Sequence, residues 1–279
     1  MKPTTMGPMV WVNGDLIRLE DARVPVTDHS FLAGDGAFET IAIRDGIPLA
    51  LTRHLARLRQ SLSGLGLPFP APDRSIREAL EALVEVNALR DGFVRLMVSG
   101  EGGPFSSTRQ AGTPRMVMGS AMQSPDDTEV RVVTVPWTRN ERGVLTGLKT
   151  TSYAENVVAL AHANAFGARE AIFPNTRGEL CEGTGSNIFL VLNSELVTPP
   201  LSSGCLPGIT RELVISVSEA TQRRVPMDEV HRTSEAFLTS STRGVLPIRR
   251  IDGLELPLGP FTRAARDAYD DLIQANPDP

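Results

Sequence analysis

The alternation of apolar and polar residues changes period many times along the chain, and each change marks an element. MVWVNGDLI alternates on either side of Asn13-Gly14, a pair suited to the tight turn of a β-hairpin. AFETIAIRDGIPLAL repeats the arrangement around Asp45-Gly46. The period then becomes that of a helix, because HLARLRQSLSGLGL places Leu55, Leu58, Ser61 and Leu62 on one face. A second helix is predicted from Ser75 to about Ala88, N-capped by Asp73 or Ser75. FVRLMVSG and PRMVMGSA read as strands, with a Gly/Ser-rich loop between them at 100–113.

Residues 121–129, AMQSPDDTE, are polar and contain a proline, and they read as a linker. VRVVTVPW restarts with a strand. Beyond it the pattern predicts a helix from Ala154 to about Phe166, strands at Arg169–Phe173 and Asn187–Val191, and a helix from Thr210 to about Arg223. A strand at Ala236–Ser240 and a terminal helix from Phe261 to about Ala275 complete the chain. Strands and helices mixed in this way, with many hairpin turns, predict an α+β (mixed α/β) fold. Its expected division is an N-terminal α/β domain over 1–120, the linker 121–129, and a C-terminal domain over 130–279. No internal repeat interrupts it.

Composition narrows the functional classes. A chain of 279 residues, 41% of them apolar, is long enough for one large domain or two small ones with a genuine core. The net charge of −5 is spread without blocks, which argues against nucleic acid or an acidic membrane surface as partner. The apolar runs fall short of the ~20 residues that a spanning helix needs. The opening MKPTTMGPMVWV lacks the apolar core of an export signal, so a cytoplasmic location is expected. Cys181 and Cys205 are the two cysteines, too few for a disulfide framework and wrongly spaced for zinc, and they are expected as buried thiols. No metal site is expected.

One count stands out. Of 28 basic residues, 26 are Arg and two are Lys, namely Lys2 and Lys149. Arginine carries surface charge as well as lysine does, but it stays protonated and cannot act as an amine nucleophile. A lone interior lysine in a chain that otherwise uses arginine therefore points to amine chemistry. Lys149 lies in GLKTTSYAEN, expected at the end of a strand and before a helix. Three further segments have complementary properties. CEGTGSNIFLV presents Glu182, a carboxylate suited to holding a protonated ring nitrogen. SSGCLPGITREL feeds a tight turn into a helix N-terminus, where Gly208 allows close backbone approach and Thr210 adds a hydroxyl for an anion such as phosphate. FLTSSTRG ends a strand in the hydroxyls of Ser240, Ser241 and Thr242.

The ordered set K-T-T-S-Y-x-E-N, E-G-T-G-S-N-I-F, L-P-G-I-T-R and F-L-T-S-S-T resembles the fold-type IV, or class IV, enzymes that use pyridoxal 5′-phosphate (PLP). GDGAFET at 34–40 and HLARL at 54–58 extend the resemblance over nearly the whole chain. That family includes branched-chain aminotransferases, D-amino-acid aminotransferases, (R)-amine transaminases and aminodeoxychorismate lyase. The resemblance implies a two-domain, D-amino-acid-aminotransferase-like fold and a homodimer. It implies that Lys149 is the Schiff-base lysine and proton shuttle, and that Glu182 pairs with the pyridine nitrogen. It implies that Arg57, the Ile209 and Thr210 backbone and Ser241 bind the phosphate, that Leu206 packs on the ring, and that Tyr153 bonds to the ring phenolic oxygen. GDG-x-F-E-T favours the D-amino-acid aminotransferase and lyase branches. The expected reaction is transamination of an amino acid, of the D-alanine kind, with a 2-keto acid; the lyase that releases pyruvate and 4-aminobenzoate from aminodeoxychorismate is the alternative, and a branched-chain L-aminotransferase or an (R)-amine transaminase ranks after it.

Those branches carry an arginine within an S/T-R-G stretch after the FVRLMV strand to grip the substrate carboxylate. Here the stretch reads Val98-Ser99-Gly100-Glu101-Gly102, so another cation has to serve. Arg95, Arg109 and Arg243 are the candidates, with Phe38 and Thr242 as further substrate contacts.

Overall fold

Both expected hairpins form. β1 (Met9–Val12) and β2 (Asp15–Arg18) close over Asn13 and Gly14. α1 (His29–Ala33) follows, with the Asp28 carboxylate accepting the Ser30 N–H at its start; five residues are too few to carry a helical period in the sequence. β3 (Gly36–Arg44) and β4 (Ile47–Pro48) close over Asp45 and Gly46, both at positive φ. The computed structural model describes residues 6–100, 102–109, 112, 114–122 and 129–279. The expected linker at 121–129 falls mostly outside these residues; Ala121 and Met122 end a strand.

The described residues up to Met122, together with 148–153 and 277–279, pack as one unit, and the rest pack as a second. The first unit holds an antiparallel sheet of order β2-β1-β6-β5-β3-β4, where β5 is Gly92–Ser99 and β6 is Arg115–Met122. α2 (Leu51–Gly64) and α3 (Asp73–Val86) cover one face of it. Leu55, Leu58 and Leu62 of α2 and Ile76, Leu80 and Leu83 of α3 pack against Ile41, Val94, Leu96 and Met118 from the strands. Pro72, not Asp73 or Ser75, takes the N-cap position of α3, and no side chain caps it. Asp73 is instead the first helical residue, where its charge suits the positive end of the helix dipole.

The second unit is built on a mixed sheet of order β12-β11-β10-β13-β14-β7-β8-β9, with β15 (Leu254–Glu255) alongside β14. Its strands are β7 (Val130–Thr134), β8 (Glu170–Pro174), β9 (Leu180–Gly183), β10 (Asn187–Leu192), β11 (Glu195–Thr198), β12 (Thr221–Gln222), β13 (Glu235–Ser240) and β14 (Gly244–Ile251). Its helices are α4 (Ala154–Ala165), α5 (Ile209–Val217) and α6 (Pro260–Ala275). β10 is buried at every position, which fits a run of apolar residues without alternation. The helix expected over 210–223 stops at Val217. The hydroxyls of Ser216 and Ser218 turn back onto the Leu213 and Val214 carbonyls, Ser218 is extended, and Thr221–Gln222 pairs with β11. β14, which contains Pro247, pairs with both β13 and β7 despite that residue. No helix among the described residues is long and apolar enough to cross a membrane.

The start of α6 depends on a carboxylate from the sheet. Glu235 of β13 accepts the Thr262 N–H at 2.9 Å and the Phe261 N–H at 3.4 Å, which satisfies two donors of the first helical turn. A Cβ on Gly259 would lie 2.0 Å from Glu235 Cδ, so the cap requires glycine there. Replacing Glu235 with alanine is expected to lower unfolding stability by about 1–2 kcal/mol in a urea titration. An unchanged midpoint would refute this capping role.

Candidate functional site

β3 has almost no solvent face, and its two sides carry different chemistry. Ala37, Glu39 and Ile41 project toward α2, since successive side chains alternate. Glu39 is fully buried there. It accepts from Arg57 Nε at 2.8 Å and Nη2 at 2.6 Å, and from His54 Nδ1 at 2.7 Å. Burial alone would raise the Glu39 pKa, but the Arg57 charge and hydrogen bonds, aided by His54, bring it down to about 2. Burial lowers the His54 pKa, against the pull of Glu39 and with the help of Arg57 and Lys149, so a neutral ring donates through Nδ1. The expected phosphate ligand Arg57 is thus buried and held in one plane by Glu39, with its Nη1 edge turned away from that carboxylate.

Phe38 lies on the other side of β3. Lys149 Nζ is 4.5 Å from the centroid of its ring, and the Arg95 guanidinium is 3.7 Å from it. Tyr153 meets the same ring edge-to-face at 5.3 Å. Lys149 does not end a strand as expected. β7 stops at Thr134, and turns fill most of the interval to Gly147. The lysine instead lies in an extended segment laid along the outer edge of β3. Its carbonyl accepts the Phe38 N–H at 3.0 Å, Thr150 bridges Ala37, and the Thr151 N–H donates to Gly36. On the other side its N–H donates to Ser61 Oγ on α2 at 3.0 Å. Both backbone polar groups of Lys149 are therefore tied down, which fixes the point from which its side chain starts.

The three candidate carboxylate-binding arginines differ in their surroundings. Arg109 donates two bonds to Asp35, at 2.7 and 2.5 Å, and one to the Leu65 carbonyl. Arg243 bonds at 2.8 Å to Glu170, which is fully buried and also accepts from Thr184 and the Gly185 N–H. Burial works against the Glu170 anion, and Arg243 with these donors outweighs it and lowers its pKa. Arg243 is in this way paired with one of the protein's own carboxylates, and so is Arg109. Arg95 has only ring contacts among the described residues, and burial lowers its pKa without discharging it.

In the second unit, Glu182 sits on β9 and accepts the Leu206 N–H at 2.9 Å. The Leu206 carbonyl accepts from Asn187 Nδ2 at 2.9 Å and from the Gly208 N–H. Gly208 is the N-cap of α5, and no side chain caps that end, so its first N–H groups, from Ile209 onward, lack intrahelical partners. The glycine has a second reason: a Cβ at 208 would fall 1.9 Å from Asn187 Oδ1. Thr210 is buried in the first turn. Ser240 ends β13 and accepts from Arg243 Nε at 3.2 Å, while Ser241 and Thr242, both half-buried, make the turn into β14.

The resemblance implies PLP, and the residues present fit it on two counts. An uncapped helix N-terminus suits a phosphate. Ser186 Oγ and Thr239 Oγ1 are buried with no hydrogen-bond partner among the described residues; Thr239 is paired with Asn187 and Ser186 directly precedes it, so polar groups there await a polar partner. Glu39, His54, Ser61, Glu170 and Arg139, which donates charge toward Glu182, were not anticipated from the sequence. A glutamate inside the apolar run AFETIAI was the one available signal.

A family model described as amino-transferase class IV matches residues 36–251. A putative branched-chain-amino-acid aminotransferase of Methanocaldococcus jannaschii is 31% identical over 275 residues, which cover 94% of this chain and 96% of that one. The D-alanine aminotransferase of Bacillus licheniformis is 29% identical, over 95% of this chain and 96% of its own. The PLP-form structure of the branched-chain amino acid aminotransferase from Thermobaculum terrenum superposes with a TM-score of 0.87 at 29% identity, covering 97% of this chain and 95% of that one.

The Glu39 ion pair gives the first unit a defined acid sensitivity. Its folded pKa of about 2 lies below the ordinary 4.5, so its contribution to stability is complete above pH ~4.5 and is lost as the pH falls toward 2. Glu39→Gln leaves Arg57 buried without its anion and is expected to cost about 3–5 kcal/mol at pH 7. Its unfolding free energy is also expected to fall less steeply than that of the native chain over that acid range. Parallel slopes in the two proteins would contradict the assignment.

Proposed function

The chain belongs to the amino-transferase class IV family and uses PLP; from that premise we propose that it moves an amino group from a small D-amino acid of the D-alanine kind to a 2-keto acid, with Lys149 as its catalytic residue. The observation that carries this reading is the Phe38 ring, on which the interior lysine and the guanidinium of Arg95 meet.

PLP supplies an aldehyde that bonds to amines and a ring that takes up electrons when the substrate Cα proton leaves. The residues of the chain do the rest. Lys149 Nζ would be the amine that holds the cofactor, and, once free, the base that moves a proton at the substrate Cα. Its fixed backbone keeps the amine within reach throughout. Glu182 would be the acceptor for the ring nitrogen, and Leu206, its main chain held at both polar groups, would be the apolar contact for the ring. Arg57 in the first unit, and in the second the first N–H groups of α5 at Ile209 and Thr210 with the hydroxyls of Ser240 and Ser241, would be the donors for the phosphate. Tyr153 would be the donor to the phenolic oxygen. Arg95 takes the substrate carboxylate, with Thr242 and Phe38 lining its surroundings.

GDGAFET supports the D-configuration, as does the similarity to a D-alanine aminotransferase. The similarity to branched-chain enzymes favours an L-branched-chain donor as the second reading. Mixing the holoenzyme with D-alanine, L-alanine or L-leucine, without acceptor, separates the two by the absorbance of the bound cofactor. Bleaching by D-alanine alone is expected. Bleaching by L-leucine alone would replace this reading with the branched-chain one. No change with any of them, together with pyruvate release from aminodeoxychorismate, would establish the lyase. Arg95→Gln is expected to raise the concentration of amino acid needed by about tenfold or more, as loss of a charged hydrogen bond implies.

The reading includes a homodimer. α4 exposes Val157 and Val158, and Phe166 and Trp137, which flank it on either side of His162, are exposed as well. An apolar surface of this kind favours a protein partner, and a second copy is the simplest one. Light scattering on the native chain is expected to give twice the monomer mass, and Val157→Glu to shift the distribution toward monomer. A native monomer that is active would rule the dimer out.

A further inference from the structure

We propose that Arg139 is a positioning residue for Glu182, keeping that carboxylate ionised and aimed so that it can serve the cofactor ring nitrogen. The inference rests on the role given to Glu182 above. Glu182 is only 14% exposed, and a carboxylate so far out of water needs an opposite charge or it takes up a proton. Arg139 Nε stands 3.5 Å from Glu182 Oε1. That separation is within ion-pair range but beyond the 2.7–3.2 Å or so of an N–H···O hydrogen bond, and the buried Nε makes no hydrogen bond. At this length Arg139 contributes charge to the oxygen without bonding to it. The other oxygen is held by the Leu206 N–H.

The guanidinium is fixed independently of Glu182. It lies over the Phe173 ring, 4.1 Å from the centroid. Its Nη1 pairs with Glu155 at 3.1 Å, and its Nη2 donates to Asn156 Oδ1, both in the first turn of α4. Its backbone N–H donates to the Pro174 carbonyl, and Arg139 bridges Asn175. With strand, ring and helix all holding it, Arg139 cannot swing toward the carboxylate and close the gap. Charged and titratable groups beside the pair include Glu155, Glu141, Cys181, Cys205 and, next to Cys205, Arg211. Burial, and after it the Glu182 charge, push both thiols up, Cys205 to about 12, so they stay neutral beside the pair. Arg139 is therefore a cation that the fold itself places against Glu182, and the two thiols add no charge.

The test is a double-substitution cycle on PLP affinity, read by fluorescence titration of the apoenzyme, together with the pH dependence of the bound-cofactor absorbance. Glu182→Gln is expected to weaken PLP binding and to shift the spectral pH profile. Arg139→Met is expected to weaken binding roughly tenfold and to shift the same profile, Arg139→Lys to restore most of both, and Arg139→Met to add little on top of Glu182→Gln. If Arg139→Met does not fold, Arg139→Gln takes its place in the cycle. Equal effects of the Arg139 substitution with and without Glu182, or no effect with either, would overturn the inference and leave Arg139 as a support for α4. If Glu182→Gln itself changes neither affinity nor profile, the assigned role of Glu182 fails, and the inference with it.

Discussion

Glu39 is sealed between β3 and α2, and it stays an anion there because the Arg57 fork faces it with two parallel N–H bonds and His54 adds a third. Desolvating a charge is costly enough that the rest of a structure has to arrange itself around the compensation. The same solution recurs at Glu170 with Arg243, at Asp35 with Arg109, and, at longer range, at Glu182 with Arg139. Each time the cation is arginine, whose planar, permanently charged fork matches a carboxylate better than an ammonium does. This gives a structural sense to the count of 26 arginines and two lysines. Arginine does the pairing, and the one interior lysine lies beside Phe38 with its backbone tied to β3 and α2.

β3 also explains how that lysine is aimed. One side of the strand carries the Glu39 network and the other carries Phe38, so fixing the strand fixes both. The Lys149 segment then pairs with the free edge of β3 near Ala37, while β4 occupies the edge near Ile43. A single backbone bridge on the sheet and one hydroxyl on α2 define where the main chain of Lys149 lies.

Several residues do more than, or something other than, what their motif suggests. Gly208 reads as an opening for an anion, yet the contact that forbids a side chain there is the Asn187 amide, which in turn holds the Leu206 carbonyl. Arg243 reads as a cation beside the hydroxyl turn, but its charge neutralises Glu170. The resulting tie connects the Thr184–Gly185 loop to the turn after Ser240, so the two loops are set by a buried glutamate on β8. The tail of the helix expected to reach Arg223 is a strand, because two serines compete for the last carbonyls of α5.

Local pattern was enough to locate the two hairpins, the apolar face of α2, the presence of α3, the lone lysine, and the order of the four motifs that resemble class IV PLP enzymes, since each depends on residues near one another in the chain. Turn chemistry, helical period and the retention of an amine are written at that scale. Which buried acid faces which base is written at another. Glu39 and Arg57 are 18 positions apart, Glu170 and Arg243 are 73, and Lys149 and the Ser61 that holds its N–H are 88. No periodicity links such positions. Their meeting, and with it the distinction between arginines engaged inside the protein and Arg95, follows from the strand order and register of the sheets, which only the packed chain defines.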